Sequence, residues 1–396
     1  MQDRAVRVRA GMPAEIAPVG EAALRPPPLG ASAVRAPGAG RTRRAPLPAL
    51  GRLIEPVYRA VVARRNAAFD RGRGVTKFAV PVISIGNLSV GGTGKTPLVM
   101  HTLRVLLQAG MRPCVAMRGY GKRGDETPDE VDAYQREFPG LCVVARPDRA
   151  AGLREVLGAQ NAARSVAVPG PPNCVVLDDG FQHRQIARDF DVVLIDATPG
   201  RSVFEDRCLP AGWLREPVES LGRASMVVLT HAELATAEGL DALKGEVAKR
   251  TGAPIAVTRH VWTGLRQRID GHDRLLPLDV LIGKIVVGCC AIGHPEAFER
   301  ALRLVVGGPR GAEGRVSMVA LRDHDPFLPV TIRRLQEEAR RAGASHIVLT
   351  DKDWSKLRHV PEAQWPCPVV RPELAVVFDS GREQFGRLVV ETCGRT

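Results

Sequence analysis

The chain has 396 residues, and 44% of them are hydrophobic, which is enough apolar material for sizeable cores and excludes a wholly disordered protein. Its formal net charge is +13, but ten of those charges fall within residues 1–80 and only three in the rest of the chain. A body this close to neutral, with only 4% aromatic residues, argues against a surface that grips nucleic acid all round. We therefore expect no nucleic-acid partner.

The eight cysteines form no Cys-x-x-Cys pair, so nothing favours a cysteine zinc site or a thioredoxin-like motif. Residues 1–30 contain no apolar core of a secretory signal, and no apolar run reaches 18 residues. We expect a reduced, cytosolic protein with no transmembrane span.

The N-terminal region divides into two parts. Residues 1–50 are rich in Pro, Ala, Gly and Arg and show no hydrophobic period, which predicts a disordered basic tail. Residues 52–70 instead predict a basic amphipathic helix, packed either on its own domain or on anionic lipid headgroups. Arg52, Arg59 and Arg64 lie outside its apolar face, which is formed by Ile54, Val57, Tyr58, Val61, Val62 and Phe69.

From about residue 79, short apolar runs alternate with helical patterns, a rhythm that predicts a mostly parallel sheet covered by helices on both faces. The first set of predicted strands is Val80–Ile85, Cys114–Met117, Cys174–Leu177, Val192–Ile195 and Met226–Leu229. A smaller second set is Ile285–Val287, Val316–Ala320 and Ile347–Leu349, with a helix at 330–342. The weakly patterned stretch 250–284, with a β-like run at Ile255–Thr258, predicts a linker between a lobe at 51–249 and a C-terminal lobe at 285–396.

The first predicted strand leads into a glycine-rich loop and then a helix, which is the context of a phosphate-binding P-loop. The loop residues that would surround phosphate oxygens and the nucleotide's metal are Gly91, Gly92, Thr93, Gly94, Lys95 and Thr96. Lys95 would reach the β- and γ-phosphates, and Thr96 would ligate Mg²⁺. The strict pattern has glycine at position 89, where this chain has Ser89. An incidental glycine turn is the alternative.

The third predicted strand ends in Asp178 and Asp179, the form of a Walker B element whose acids hold Mg²⁺ or its waters. A turn with a helix cap is the alternative for these two acids, and His183 nearby is expected to be structural. Arg118 follows the second strand at an edge where ligands of open α/β sheets bind. It would contact either phosphate or a structural carboxylate.

Taken in order, the chain's motifs resemble the tetraacyldisaccharide 4′-kinase family of lipid A biosynthesis. They are 84–97 (SIGNLSVGGTGKTP), 118–121 (RGYG), 178–183 (DDGFQH), 209–217 (LPAGWLREP), 291–295 (AIGHP), 323–324 (DH) and 350–357 (TDKDWSKL). In that family a hydroxyl residue usually stands where this chain has Ser89.

The resemblance implies a P-loop NTPase-like α/β/α sandwich with a second, smaller α/β/α lobe and a short β linker. It implies that ATP, with Mg²⁺, phosphorylates the 4′-hydroxyl of a tetraacylated glucosamine disaccharide 1-phosphate. The implied place is the cytosolic face of the inner membrane, reached through residues 52–70.

The family's proposed general base is an Asp of an Asp-Glu pair, assisted by a His of the second lobe. His324 fits the histidine. Asp125 and Asp129 compete for the acid, and we favour Asp129 because a short helical pattern ending at Phe-Pro follows it. The predicted catalytic residues are thus Asp129, His324, Lys95 and Asp179.

The alternative function is a membrane- or DNA-associated partitioning ATPase, which also has a Gly-Gly-x-Gly-Lys-Thr loop. Such proteins place a lysine directly before the two glycines, and Val90 stands there in this chain.

Overall fold

A computed structural model of the chain describes residues 47–119, 129–158, 170–200, 202–293, 295–322 and 325–394, with only the backbone of Pro48, Asp129 and Glu130. All of these belong to one compact unit, Gly40–Thr396. Nearly all of the predicted tail at 1–50 lies outside the described residues.

The helices and strands alternate through most of the described chain. The helices are α1 Pro48–Asp70, α2 Lys95–Gln108, α3 Asp129–Glu137, α4 Arg149–Gly158, α5 Ala237–Ala248, α6 Pro295–Gly307, α7 Pro329–Ala342, α8 Asp351–Leu357 and α9 Arg382–Cys393. The strands are β1 Val82–Asn87, β2 Pro113–Met117, β3 Cys142–Ala145, β4 Cys174–Asp178, β5 Phe190–Asp196, β6 Met226–Thr230, β7 Ile255–Ile269, β8 His272–Leu276, β9 Ile285–Cys290, β10 Arg315–Ala320, β11 His346–Leu349 and β12 Val369–Ser380.

The strands form one sheet in the order β10-β9-β11-β12-β7-β6-β5-β1-β4-β2-β3, and β8 pairs with β7. Its pairings are parallel except β7 with β12 and β7 with β8. The mostly parallel α/β fold predicted from the sequence is therefore confirmed, because parallel strands need helical crossovers.

Alternate residues of the strands enter different cores, which is the pattern expected of a sheet covered on both faces. In β1, Ile83 and Ile85 pack with α2, α3 and α9, whereas Val82 packs with α4. In β9, Val287 packs with α7 and α8, whereas Val286 packs with α6. Helices thus lie on both sides of each set of strands.

The two sets of strands are joined by the long antiparallel pair β7 and β12, which stays in register from Val257 opposite Ser380 to Gln267 opposite Val370, with two irregularities. The start of β7 pairs with β6, and the start of β12 pairs with β11. The sequence pattern predicted only the first four residues of β7, and it did not predict β3, β8 or β12.

The last helix returns to the first set of strands. Phe385 and Val389 of α9 are fully buried in the core that also contains Leu98 and Leu103 of α2. The chain's final described helix therefore completes the hydrophobic core beneath the P-loop helix.

Helix α1 has two apolar faces rather than the single one predicted. Its inner face packs on the protein: Val62 is buried, the Tyr58 hydroxyl donates to the Arg215 carbonyl at 2.8 Å, and Glu55 accepts from the Cys208 amide at 3.1 Å. Its outer face is solvent-exposed and consists of Leu50, Leu53, Ile54, Val57 and Val61. Within the described parts of the chain, no helix is both long enough and apolar enough to cross a bilayer.

Candidate active site

The predicted P-loop connects β1 to α2, and Lys95 is the first residue of α2. Two hydrogen bonds hold the loop at Thr93: its hydroxyl accepts from Asn87 Nδ2 at 2.9 Å, and its carbonyl accepts from Thr230 Oγ1 at 3.0 Å. The loop is thereby tied to the carboxyl ends of both β1 and β6. This places the N-terminus of α2, where backbone N–H groups attract anions, at the same edge of the sheet.

Glycine is required at position 94 for two reasons. Its φ of +76° lies in the left-handed region, which side chains with a Cβ rarely adopt. A Cβ there would also lie 2.4 Å from Cε1 of His260. The close approach of His260 to the loop is a feature that the motif alone does not reveal.

Asp178 is the last residue of β4 and is buried. One of its oxygens accepts from the Tyr134 hydroxyl of α3 at 2.9 Å. Burial raises the pKa of the Asp178 carboxyl above its usual value, and the nearby Lys95 ammonium and the bond from Tyr134 offset only part of that rise.

Asp179 follows directly but occupies a different environment. Its φ of +53° is left-handed, an uncommon conformation for a residue other than glycine. Its carboxylate contacts Lys95 Nζ at 3.4 Å and Nη1 of Arg215 at 2.7 and 2.8 Å. Although burial raises the pKa of Asp179, the Lys95 and Arg215 cations outweigh that effect and hold the pKa below its usual range.

Arg215 is the site residue that the sequence analysis left without a role, although it lies in the LPAGWLREP motif. Its guanidinium reaches Asp179 and also Gln182 Oε1, at 3.3 Å, while Gln182 Nε2 donates to the Asn87 carbonyl at 2.8 Å. The Arg215 amide donates to the carbonyl of Leu88 at 2.7 Å. The motif is therefore fixed to the P-loop through both its backbone and its side chain.

The adjacent Glu216 explains how the motif is held in place. Its side chain is fully buried and accepts hydrogen bonds from Asn66 Nδ2, Ser220 Oγ and Arg223 Nη2 at 2.9, 3.1 and 2.9 Å. A buried carboxylate is tolerated only with such partners. Helix α1 thus positions Arg215 indirectly, through Asn66 and the bond from Tyr58.

The remaining predicted site residues are placed less fully. Arg118 is exposed just after β2. Asp129 is the first residue of α3, the helix that carries Tyr134, but its side chain is not described. Asp125 and His324 lie outside the described residues. His183 is partly buried, and burial, with Arg149 and Arg188 adding to the effect, lowers its pKa to about 4, so it is neutral at pH 7.

The donors predicted to hold Mg²⁺, the Thr96 hydroxyl and the carboxylates of Asp178 and Asp179, are all oxygen atoms, the ligand type that this hard cation prefers. Thr96 is in the first turn of α2, beside Lys95, and Lys95 contacts Asp179. The donor set and its placement at one sheet edge fit the ion.

Similarity to known proteins identifies the family of this chain. The family model for tetraacyldisaccharide-1-P 4′-kinase (LpxK) matches residues 48–389. The chain belongs to this family. The membership confirms the family and the enzyme class that the motifs predicted, and it does not favour a partitioning ATPase.

Individual relatives support the same conclusion. The tetraacyldisaccharide 4′-kinase of Anaeromyxobacter dehalogenans is 35% identical over 80% of this chain and 84% of its own. That of Chlorobium phaeovibrioides is 32% identical over 80% and 89%. A crystal structure of LpxK from Aquifex aeolicus in complex with ATP matches with a TM-score of 0.63 and 26% identity, covering 86% of this chain and 98% of that one.

The opposite pKa shifts of the two neighbouring acids give a prediction about stability. At pH 7 we expect Asp178→Asn to raise the free energy of unfolding, because the native fold disfavours the Asp178 carboxylate. We expect Asp179→Asn to lower it, because the native fold favours that carboxylate. Chemical denaturation at several pH values between about 4 and 7 measures both.

The pH dependence separates the two effects. Because the native pKa of Asp178 is raised, the gain from Asp178→Asn should shrink as the pH falls towards about 3.9, the ordinary pKa of Asp. Because the native pKa of Asp179 is lowered, its contribution should persist there and disappear only at still lower pH. Two variants that shift stability in the same direction at pH 7 would contradict the assignment.

Proposed function

We propose that this chain transfers the γ-phosphoryl group of ATP to the 4′-hydroxyl of a tetraacylated glucosamine disaccharide 1-phosphate, giving the 4′-phosphorylated lipid A precursor, lipid IVA. The observation that carries the proposal is the convergence of Lys95, Asp179 and Arg215 at the carboxyl edge of the sheet. These residues come from three separate family motifs, and the Aquifex aeolicus relative is described in complex with ATP.

In this proposal the protein acts mainly by electrostatics. The loop residues Gly91, Gly92, Thr93 and Gly94 direct backbone N–H groups at the phosphates, and Lys95 neutralises the charge that develops on the γ-phosphoryl group. Arg215 is close enough to Lys95, through their shared contact with Asp179, to act on the same charge. Arg118 is proposed as a further phosphate contact from the neighbouring strand.

Mg²⁺, when bound, would neutralise part of the charge on the phosphate oxygens. Thr96, Asp178 and Asp179 are the residues that would hold it or its waters. Their own task is to orient it: the Tyr134 hydroxyl holds one oxygen of Asp178, and Lys95 and Arg215 hold the carboxylate of Asp179.

We propose Asp129 as the general base, assisted by His324. The acceptor hydroxyl would pass its proton to the Asp129 carboxylate as its oxygen bonds to the γ-phosphorus and the bond from that phosphorus to the ADP oxygen breaks. The position of α3 supports this role: Asp129 begins the helix, and the same helix contributes the Tyr134 hydroxyl to Asp178. Two exposed ion pairs also join this helix to α8 and the residue after it, Arg136 with Asp351 and Asp132 with Arg358. Helix α3 therefore lies between the P-loop strands and the second set.

We further propose that the chain works as two lobes connected by β7 and β12. The separate hydrophobic cores of the first and second strand sets support this division. The first lobe then includes α9 as well as the residues before 250, because α9 packs on α2.

The exposed face of α1 supports a peripheral contact with the inner membrane. At 3.6 residues per turn its five apolar residues occupy an arc of about 100°, and they are Leu50, Leu53, Ile54, Val57 and Val61. Arg64 and Arg65 are exposed shortly after Val61 in α1. Basic residues near a membrane surface favour anionic headgroups by very roughly 1 kcal/mol each. We propose that this face rests in the headgroup region of the membrane that supplies the lipid substrate.

The role of Lys95 in catalysis is tested by its substitution. With Mg²⁺-ATP and a tetraacyldisaccharide 1-phosphate, Lys95→Ala should lower kcat by roughly a hundredfold or more, because the positive charge that stabilises the transferred phosphoryl group is lost. Transfer of labelled γ-phosphate to the lipid measures it, and Lys244→Ala on exposed α5 is the control, expected to leave the rate unchanged. Undiminished transfer in Lys95→Ala would contradict the site. DNA-stimulated ATP hydrolysis without lipid phosphorylation would contradict the function.

The choice of base is tested separately. Asp129→Asn should lower kcat by about a hundredfold or more with little change in KM for ATP, because proton acceptance is lost while nucleotide binding is kept. Asp125→Asn is the matched control and should retain most activity. An inactive Asp125→Asn beside an active Asp129→Asn would reverse the assignment.

Membrane contact is tested with the double variant Leu53→Ser and Val57→Ser. Binding to vesicles containing anionic lipid should weaken by about tenfold or more, because two exposed apolar side chains lose their burial in lipid. Leu304→Ser on α6 is the control, since Leu304 is 60% exposed, close to the 63% of Val57. Equal binding by the double variant and the control in a sedimentation assay would exclude this face.

A further inference from the structure

Three potential metal ligands converge beside the P-loop, away from Asp178 and Asp179. His231 Nδ1 lies 3.1 Å from Glu233 Oε1 and 3.2 Å from His260 Nδ1, and the third side, from His260 Nδ1 to Glu233 Oε1, is 3.9 Å. The three side chains are 12%, 26% and 9% exposed, so they form a largely enclosed group that opens mainly at the carboxylate.

The backbone holds this cluster in shape. His231 follows β6 with a left-handed φ of +58°, and Glu233 lies in the short 3₁₀ turn Ala232–Leu234 that comes next. His260 is on β7, the strand paired with β6. Its amide donates to Glu233 Oε2 at 3.1 Å, which fixes one carboxylate oxygen and directs the other at the two imidazoles.

Hydrogen bonding within the cluster is a poor account of this geometry. His231 Nδ1 can carry only one proton, yet it faces both a carboxylate oxygen and the Nδ1 of His260. The three ligand atoms all lie within 4.8 Å of one another, close enough for a single cation to contact all of them.

The spacing agrees with that of a metal ion. Zinc–nitrogen and zinc–oxygen bonds of about 2.0–2.2 Å place neighbouring ligands of a tetrahedral site about 3.3–3.5 Å apart. The three observed separations bracket that value. Two imidazoles and one carboxylate form a donor set that suits zinc and its transition-metal neighbours, whereas Mg²⁺ and Ca²⁺ prefer oxygen alone.

We propose that His231, Glu233 and His260 bind a divalent transition-metal ion of the zinc class, through Nδ1, Oε1 and Nδ1. The site is separate from Asp178 and Asp179, because β6 is three strands away from β4 in the sheet. It does not depend on the identity of the phosphoryl acceptor.

An ion bound at the cluster would lie where it can stabilise the P-loop. The His260 ring packs against Gly94, and Thr230, the residue before His231, donates to the Thr93 carbonyl. An ion at the cluster would therefore stabilise the P-loop against β6 and β7 and restrict the movement of the N-terminus of α2.

The experiment uses the full chain, treated with a chelator and then titrated with Zn²⁺ without nucleotide, by calorimetry. We expect one ion per chain with micromolar or tighter affinity, and tetrahedral absorption bands when Co²⁺ replaces Zn²⁺. His231→Ala and His260→Ala should each weaken binding by about a hundredfold or more. His272→Ala, which removes an exposed histidine of β8, is the control and should bind as the wild type does.

A second variant distinguishes the loss of a metal ligand from the loss of the native fold. Glu233→Gln keeps the size of the side chain but removes its charge, so it should retain the native circular dichroism spectrum and bind Zn²⁺ at least tenfold more weakly. Zn²⁺ should raise the thermal unfolding midpoint of the wild type and not that of Glu233→Gln.

Two results would overturn the proposal. One is an absence of stoichiometric Zn²⁺ or Co²⁺ binding to the wild type. In that case a rise in KM for ATP in His260→Ala would indicate that the cluster contacts the nucleotide instead. The other is binding that all three ligand variants retain.

Discussion

The carboxylate of Asp179 is the interaction on which the arrangement of the active site depends. Lys95 begins the P-loop helix and Arg215 comes from a loop after β5, and two such cations repel each other when close together in a partly buried site. Asp179 lies between them and contacts both. It therefore assembles the positive charge that anionic phosphates require, and its left-handed backbone conformation is the local cost of that position.

The neighbouring acids show how environment, rather than residue type, assigns a role. Asp178 is enclosed at the end of β4 and hydrogen-bonded by a tyrosine, so its charge is disfavoured. Asp179 is one residue further on and has two cationic partners, so its charge is favoured. Neighbouring carboxyl groups whose surroundings give them different pKa values recur at sites that transfer protons and bind metal ions.

Local signals in the sequence predicted much of this molecule. Apolar runs located most of the parallel strands, and the spacing of glycines with Lys95 located the P-loop, because both depend on residues close together in the chain. The partner of Asp179 is 36 residues away, and the cluster of His231 and His260 spans 29. Such pairs are created by strand order, which periodicity does not specify. Strand β12 was missed for another reason: only its first four residues are buried, so the hydrophobic pattern of the rest of the strand is weak.

The return of α9 to the first core has a consequence for synthesis of the protein. A ribosome releases the chain from its N-terminus, so the strands around the P-loop emerge early, but their core still lacks Phe385 and Val389. Those side chains are made long after α2, because α2 ends at Gln108 and α9 begins at Arg382. The nucleotide-binding half therefore cannot complete its core until α9 has been made. Until then the apolar surface of α2 stays exposed, and a nascent chain stalled before residue 382 would present it to chaperones.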